Sequence, residues 1–167
     1  VAIGAVGWQS SAWLDLPPEE AAPVATETQR VADLTRLAEG NDAVAEHELS
    51  RRYGSGLGVP KSATEEHNWL QRAARHDNVE AQYELGIALR DGRGSIQDYE
   101  EARKWLQRAA EGGNAKAQFA LGLIYRTGIG VPIDSLKAYV WLNVAAAQDV
   151  PGAASARDSV LARLTAA

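Results

Sequence analysis

The sequence predicts an all-α solenoid, a stack of short helix–turn–helix units around one continuous core. Three observations carry that reading. Trp69, Trp105 and Trp141 stand 36 residues apart, each followed by Leu and then, three residues on, by Ala-Ala. Sliding the chain by 36 residues aligns 43–78, 79–114 and 115–150 without a gap, superposing Ala45, Ala81 and Ala117 and likewise Leu49, Leu85 and Leu121. The glycine pairs Gly56/Gly58, Gly92/Gly94 and Gly128/Gly130 fall in the same register. A period in this range belongs to stacked supersecondary units, none of which can bury its apolar face alone.

In chain order, residues 1–24 lie outside the repeat. Pro17, Pro18 and Pro23 interrupt any helix there, so the Pro/Glu/Ala stretch Leu16 to Val24 reads as a linker. Residues 25–42 match the second helix of a preceding unit and predict a half-repeat capping helix. Thr26 takes its cap position, Gln29 lies three further on, and Leu34 aligns with Leu70. Three full repeats follow, at 43–78, 79–114 and 115–150. The first helix of each buries a stripe at i, i+4, i+8, such as Ala117, Leu121 and Tyr125. It stops at its glycine pair, where φ turns positive without a Cβ clash.

The second helix of each repeat opens on Ser62, Asp98 or Asp134 as N-cap. Glu65 and Glu101 predict a capping box in the first two repeats, which Lys137 denies to the third. In the third repeat this helix is expected to bury Ala138, Trp141, Leu142 and Ala145; the helix stops at Gly112-Gly113 or the equivalent pair. Residues 151–167 predict a C-terminal capping helix. Ala153 to Leu164 occupies the first-helix slot of a fourth unit, with Arg157 and Asp158 in place of Leu-Gly, as a terminal element requires. The chain ends soon after, as a truncated array also would.

Small residues set the expected packing. Gly86 and Gly122 sit mid-helix, where glycine costs about 1 kcal/mol relative to alanine. Close approach of the partner helix is the compensating gain, with Ala73/Ala74, Ala109/Ala110 and Ala145/Ala146 as the facing small positions. Each Trp then wedges between neighbouring units, burying on the order of 200 Å². Trp69, Trp105, Trp141, Leu49, Leu85, Leu121, Gly86 and Gly122 are thus structural core, not a ligand cage.

Composition narrows the function. The chain has 167 residues, 46% apolar and 23% charged, enough for one domain with a real core. The net charge is −5, all of it carried by residues 1–42 (two basic, seven acidic), while the remaining residues balance at 15 of each sign. No basic face is expected, so nucleic acid is excluded as a partner. The absence of cysteine removes disulfides, thiolate zinc sites and cysteine nucleophiles, without fixing the compartment. The uncharged opening Val1 to Leu14 fits either the remnant of a signal h-region or the edge of a longer chain. It is too short to span a bilayer, so no membrane insertion is expected. Periplasm or secretion is favoured over the cytoplasm, without being fixed.

These units resemble the Sel-one-like repeat, a relative of the tetratricopeptide repeat with the pattern A-x3-L-G-x2-Y-x2-G-x-G-V-x2-D-x3-A-x2-W-x3-A-A. The third repeat matches every fixed position: Ala117, Leu121, Gly122, Tyr125, Gly128, Gly130, Val131, Asp134, Ala138, Trp141, Ala145 and Ala146. The second departs at Leu89 and Ser95, the first at Ser50, Ser62 and Glu66. The resemblance implies a right-handed α/α superhelix serving as an interaction scaffold, often bacterial when such repeats stand in a short chain. The matched positions are structural, so they name no partner.

No enzyme signal accompanies the scaffold. His47 occupies the slot of Tyr83 and Phe119 and reads as a packing residue; His67 matches Arg103 and Tyr139; His76 sits in an inter-unit turn. None has metal-ligand spacing, and no cofactor is expected. The run Gly54 to Ser62 only faintly resembles a phosphate loop: Pro60 replaces the glycine before Lys-Ser, no strand precedes it, and the sister repeats lack the lysine. Glu65-Glu66 and Glu100-Glu101 are helix-start carboxylates placed for the helix dipole rather than acid/base dyads.

Binding through the free surface remains. Positions three, six and ten after the leading Ala of each first helix point away from its apolar stripe: Glu48, Arg51 and Ser55; Glu84, Ile87 and Asp91; Ala120, Leu123 and Thr127. Stacked, they predict a groove grading from charged to apolar, suited to an extended peptide or a partner helix. The competing expectation is a solvated face with Leu123 covered by the terminal helix. Tyr99 and Tyr139 are either outer contacts or packing residues. Two other readings stand beside the scaffold. One is an envelope or secreted factor binding cell-wall glycan, or acting as a small hydrolase. The other is a fragment of a longer array, self-associating through an exposed Leu123/Ile124 face.

Overall fold

The structure, a computed structural model, describes residues 26–166. Among these residues it is wholly helical: α1 (Glu27–Glu39), α2 (Ala43–Ser55), α3 (Ala63–Arg75), α4 (Val79–Asp91), α5 (Tyr99–Glu111), α6 (Ala115–Thr127), α7 (Ser135–Ala146) and α8 (Ala153–Thr165). The linker expected within residues 1–24 lies outside the described residues. Each helix packs on the next in sequence, and α8 also reaches back to α6. The predicted helix–turn–helix solenoid is the observed architecture.

Local chemistry sets the helix ends. The first helices of the repeats open on Asp42, Asn78 and Asn114, whose side chains accept from the backbone N–H of Ala45, Ala81 and Ala117. They close on Gly56, Gly92 and Gly128, all left-handed with φ of 69–81°. The second helices end in another left-handed residue, again every 36 positions: Asn41, Asp77, Gly113 and Asp149. Asn and Asp tolerate that conformation better than other side chains, which is why glycine is dispensable there.

The predicted capping boxes form only by half. Ser62, Asp98 and Asp134 accept from the N–H three residues on. Their own N–H groups, which a box would give to Glu65 or Glu101, donate instead to the carbonyls of Tyr53, Leu89 and Tyr125 at 2.9–3.0 Å. That bond ties each second helix to the end of the first, and Lys137 therefore forfeits nothing.

The glycine seams are real, but their partners differ from the expected alanine pairs. A Cβ on Gly86 would lie 2.7 Å from Leu106 Cγ and 3.1 Å from the Ala102 carbonyl; on Gly122 it would lie 2.5 Å from Leu142 Cγ. Leucine and backbone, not alanine, fill the close approach. Ala109 and Ala110 instead pack with Ala117 and Leu121 of the following repeat. Leu49, Leu85 and Leu121 are fully buried.

The tryptophans bridge repeats, though not equally. Trp69 of α3 lies on the cluster of Ala38, Ala45 and Leu49; Trp105 of α5 joins Leu70, Ala73, Ala81 and Leu85; Trp141 packs on the last cluster. Of these three, Trp105 is buried, whereas Trp69 and Trp141 are half-buried. The guanidiniums of Arg72 and Arg108 lie over the Trp69 and Trp105 rings at 4.6 and 5.1 Å, covering what the core leaves open. The third repeat has Val144 at that position.

A buried polar position runs along the stack. Gln82 and Gln118 each donate through Nε2, at 3.1 Å, to the carbonyls of Ala74 and Ala110 near the C-terminus of the preceding second helix. In the first repeat this position is Glu46, which cannot donate. Arg72 Nη2 supplies the bond to the Ala38 carbonyl and also lies 3.0 Å from Glu46 Oε1, while His76 Nδ1 donates to Glu46 Oε2 at 2.7 Å. The fully buried Glu46 thus has its charge paired by Arg72 and its Oε2 hydrogen-bonded by His76, while its Oε1 has no hydrogen bond.

Candidate binding face and cleft

The first helices α2, α4 and α6 carry the nine positions predicted to form a groove, and the structure treats them unequally. Glu48 accepts from Arg52 Nε at 3.0 Å, and Arg52 also reaches Glu27 of α1 at 2.7 Å. The Arg52 guanidinium holds the Glu27 carboxyl below its ordinary range. Glu48 thus serves an ion-pair network between α1 and α2. Arg51 and Ser55 are exposed, and the Ser55 hydroxyl donates back to the Arg51 carbonyl. Asp91 pairs with Arg90 and Arg93, and Thr127 donates to the Leu123 carbonyl.

The apolar end of the predicted groove is closed. Ala120 is 6% exposed and Ile124 5%, both in one cluster with Ala156 and Val160 of α8; Leu123 is half-buried against the same cluster. Ala120 is therefore core, and Leu123/Ile124 is not an open stacking face. Leu123 beneath the terminal helix is the competing expectation stated above; helical spacing alone does not decide between the two, because it places α8 in the chain but not over α6.

Glu84 is the centre of the charged part. His47 Nε2 donates to Glu84 Oε2 at 3.0 Å, joining α2 to α4, and this bond foremost holds the Glu84 carboxyl below its ordinary range. Nearby Arg51 and Lys116 act in the same direction, against the opposing effect of burial. His47 is therefore a cross-repeat hydrogen-bond donor as well as the packing residue its alignment suggests.

Glu84 and Ile87 also line a cleft of about 510 Å³ between α3 and α4, together with Glu66, His67, Leu70 and Tyr83. Volumes of this order are those of ligand pockets. One exchange opens it, and a second sets its charge. At the following junction Tyr99 packs so tightly on Gly130 that a Cβ there would lie 2.5 Å from Tyr99 Cβ; here Ala63 stands in the Tyr99 slot, and Gly94 has nothing within 4 Å of an added Cβ. In addition, Glu66 replaces Ala102 and Ala138, while Gly54 replaces Arg90 and Arg126. A Cβ on Gly54 would lie 2.8 Å from Glu66 Oε1, so the glycine makes room for the carboxylate. In the sequence Glu66 is a departure from the repeat and His67 aligns with Arg103 and Tyr139, and neither position by itself points to a cleft.

Other surfaces differ in kind. Leu136, Val140 and Val144 make an exposed apolar stripe on α7, where α3 carries Thr64, Asn68 and Arg72 and α5 carries Glu100, Lys104 and Arg108. Among the described residues no group of three His, Cys, Asp or Glu side chains is placed to hold a metal, and no helix is long and apolar enough to cross a membrane.

Comparison with known proteins follows the same register. The Sel1 repeat family model matches residues 43–78, 79–114 and 115–150. The chain is similar to the crystal structure of a Sel1 repeat protein from Oxalobacter formigenes, with 37% identity and a TM-score of 0.75 over 78% of this chain and 98% of that one. It is also similar to a protective antigen present in uropathogenic Escherichia coli strains that displays an SLR fold, with 35% identity and a TM-score of 0.69. That match covers 74% of this chain but 26% of the antigen, a much longer protein. None of the curated proteins compared matches the chain.

Proposed function

The chain belongs to the Sel1 repeat family, whose members generally serve as protein-interaction scaffolds, and we propose that it holds an extended peptide or a partner helix against the face of α2, α4 and α6, without catalysing a reaction. The observation that carries this reading is the cleft beside Glu84 and Ile87, where two repeats meet on that face. An extended chain laid across the first helices meets Arg51 and Glu84 before it reaches the covered Leu123, so the charged half of the face is the docking half. Binding of this kind uses a preformed surface and needs no rearrangement of the stack.

The test is selection of binders from a displayed library of random peptides, followed by hydrogen-exchange footprinting of the complex. Protection is expected in α2, α4 and the N-terminal half of α3. Failure to select any peptide, or protection confined to α7 and α8, contradicts the reading.

A further inference from the structure

We infer that the cleft between α3 and α4 anchors a lysine or arginine side chain of the bound peptide, its aliphatic stem against Leu70, Tyr83 and Ile87 and its cation on Glu66. The inference rests on the peptide-binding reading above and names the chemistry of the anchor. Three features support it independently of one another. The cleft has an apolar and aromatic wall, which a long alkyl stem covers while its charged end stays near water. Glu66 is half-buried and, among the described residues, has no side-chain hydrogen bond or ion pair, whereas Glu84 already has His47. Gly54 vacates the space that the Glu66 carboxylate occupies, so the acidic group is seated between helices rather than left at the surface.

The surrounding charges leave Glu66 as the anchor. Arg93 also lines the cleft, well exposed, with its Nε 3.6 Å from Asp91. Arg51 and Lys116 act on Glu84. A cation entering beside Tyr83 therefore meets one carboxylate already engaged and one still open. An acidic or purely apolar side chain meets Glu66 without compensation, which disfavours both.

The sister junction supplies the blocking variant. Ala63→Tyr places the Tyr99 side chain in the corresponding slot, against a Gly94 that has open space above it. Glu66→Gln removes the charge with little change of shape.

The experiment uses peptide pools of equal length that differ only at a fixed central residue: lysine, arginine, norleucine or glutamate. Binding of each pool to the whole protein, to Glu66→Gln and to Ala63→Tyr is measured by fluorescence polarisation, with helical circular dichroism and melting temperature confirming each variant's fold. The lysine and arginine pools should bind about tenfold more tightly than the norleucine pool, and Glu66→Gln should remove that preference. Ala63→Tyr should weaken the basic pools to the level of norleucine. Equal binding of all four pools, or a lysine preference that survives Glu66→Gln, overturns the anchor while leaving the scaffold reading standing. No binding of any pool to the unaltered protein overturns both. Should Ala63→Tyr fail to fold, the comparison of pools on Glu66→Gln decides the matter alone.

Discussion

Arg72 Nη2 donates to the carbonyl of Ala38 at 3.0 Å, doing for the first repeat what Gln82 and Gln118 do for the next two. The carbonyls at 38, 74 and 110 lie near the ends of α1, α3 and α5, where intrahelical donors have run out. The following turn gives the carbonyls at 38 and 110 one donor each, the N–H of Asn41 at 3.0 Å and of Gly113 at 3.1 Å, and the side-chain bond adds a second. The side-chain donor is glutamine at the α3–α4 and α5–α6 junctions and an arginine from the next helix at α1–α2, where the position is Glu46.

This relationship predicts a specific rescue. Arg72→Met should destabilise the fold by about 2–3 kcal/mol, chiefly because it strips the buried Glu46 of a cation, while the Ala38 carbonyl keeps the Asn41 N–H. Adding Glu46→Gln should restore most of that loss, since glutamine at 46 reaches Ala38 as Gln82 reaches Ala74. Urea denaturation of the two single variants and the double variant reads the coupling. Strict additivity would show that Glu46 and Arg72 act separately.

Gly122→Ala should destabilise despite the better helix propensity of alanine. The new methyl would lie 2.5 Å from Leu142 Cγ. Overpacking of that kind costs about 1–3 kcal/mol against a propensity gain of about 1. A lowered melting temperature is expected, and a raised one would show that the seam tolerates a side chain.

The half-made capping boxes separate two neighbouring residues. Asp98→Ala should cost about 1 kcal/mol, because the Glu101 N–H loses its acceptor. Glu101→Ala should cost less than about 0.5 kcal/mol, since the Asp98 N–H is already bonded to Leu89 and the Glu101 carboxylate retains only an exposed contact with Lys104. Equal losses in thermal denaturation would mean that the full box forms after all.

Acid titration should register Glu84. Its carboxyl is held below its unfolded value of 4.5, mainly by the hydrogen bond from His47. The unfolded chain therefore takes up the proton first as the pH falls. The resulting stabilisation is fully present above about pH 4.5 and is lost as the pH drops through the lower folded value. The stability difference between the protein and Glu84→Gln should accordingly shrink below that point, as chemical denaturation at a series of pH values would show. A difference that stays constant or widens under acid would mean that Glu84 is unpaired.

What the sequence disclosed and what it hid divide along a physical line. Features local to one helix or one turn were legible: the 36-residue register, the caps at Ser62, Asp98 and Asp134, the left-handed glycines and the buried Leu85 and Leu121. Features that depend on how helices from different repeats meet were not. The Glu46, Arg72 and His76 cluster joins α2 to the end of α3 through side-chain reach that no spacing encodes. Ala120 and Ile124 looked outward or open only because α8 was not yet laid over α6. The cleft was written in departures from the repeat, Ala63, Glu66 and Gly54, but a departure does not show which neighbour it makes room for until the neighbour is in place.

The central claim, that a peptide docks on the first-helix face at the α3–α4 cleft, is tested most directly by paramagnetic relaxation. The natural chain has no cysteine, so a nitroxide attached to a cysteine-bearing bound peptide stays on the peptide. The account predicts selective broadening of the backbone amides of Tyr83, Glu84, Ile87 and His67. Broadening centred on Leu136, Val140 and Val144 of α7, with the α4 amides left sharp, would contradict it.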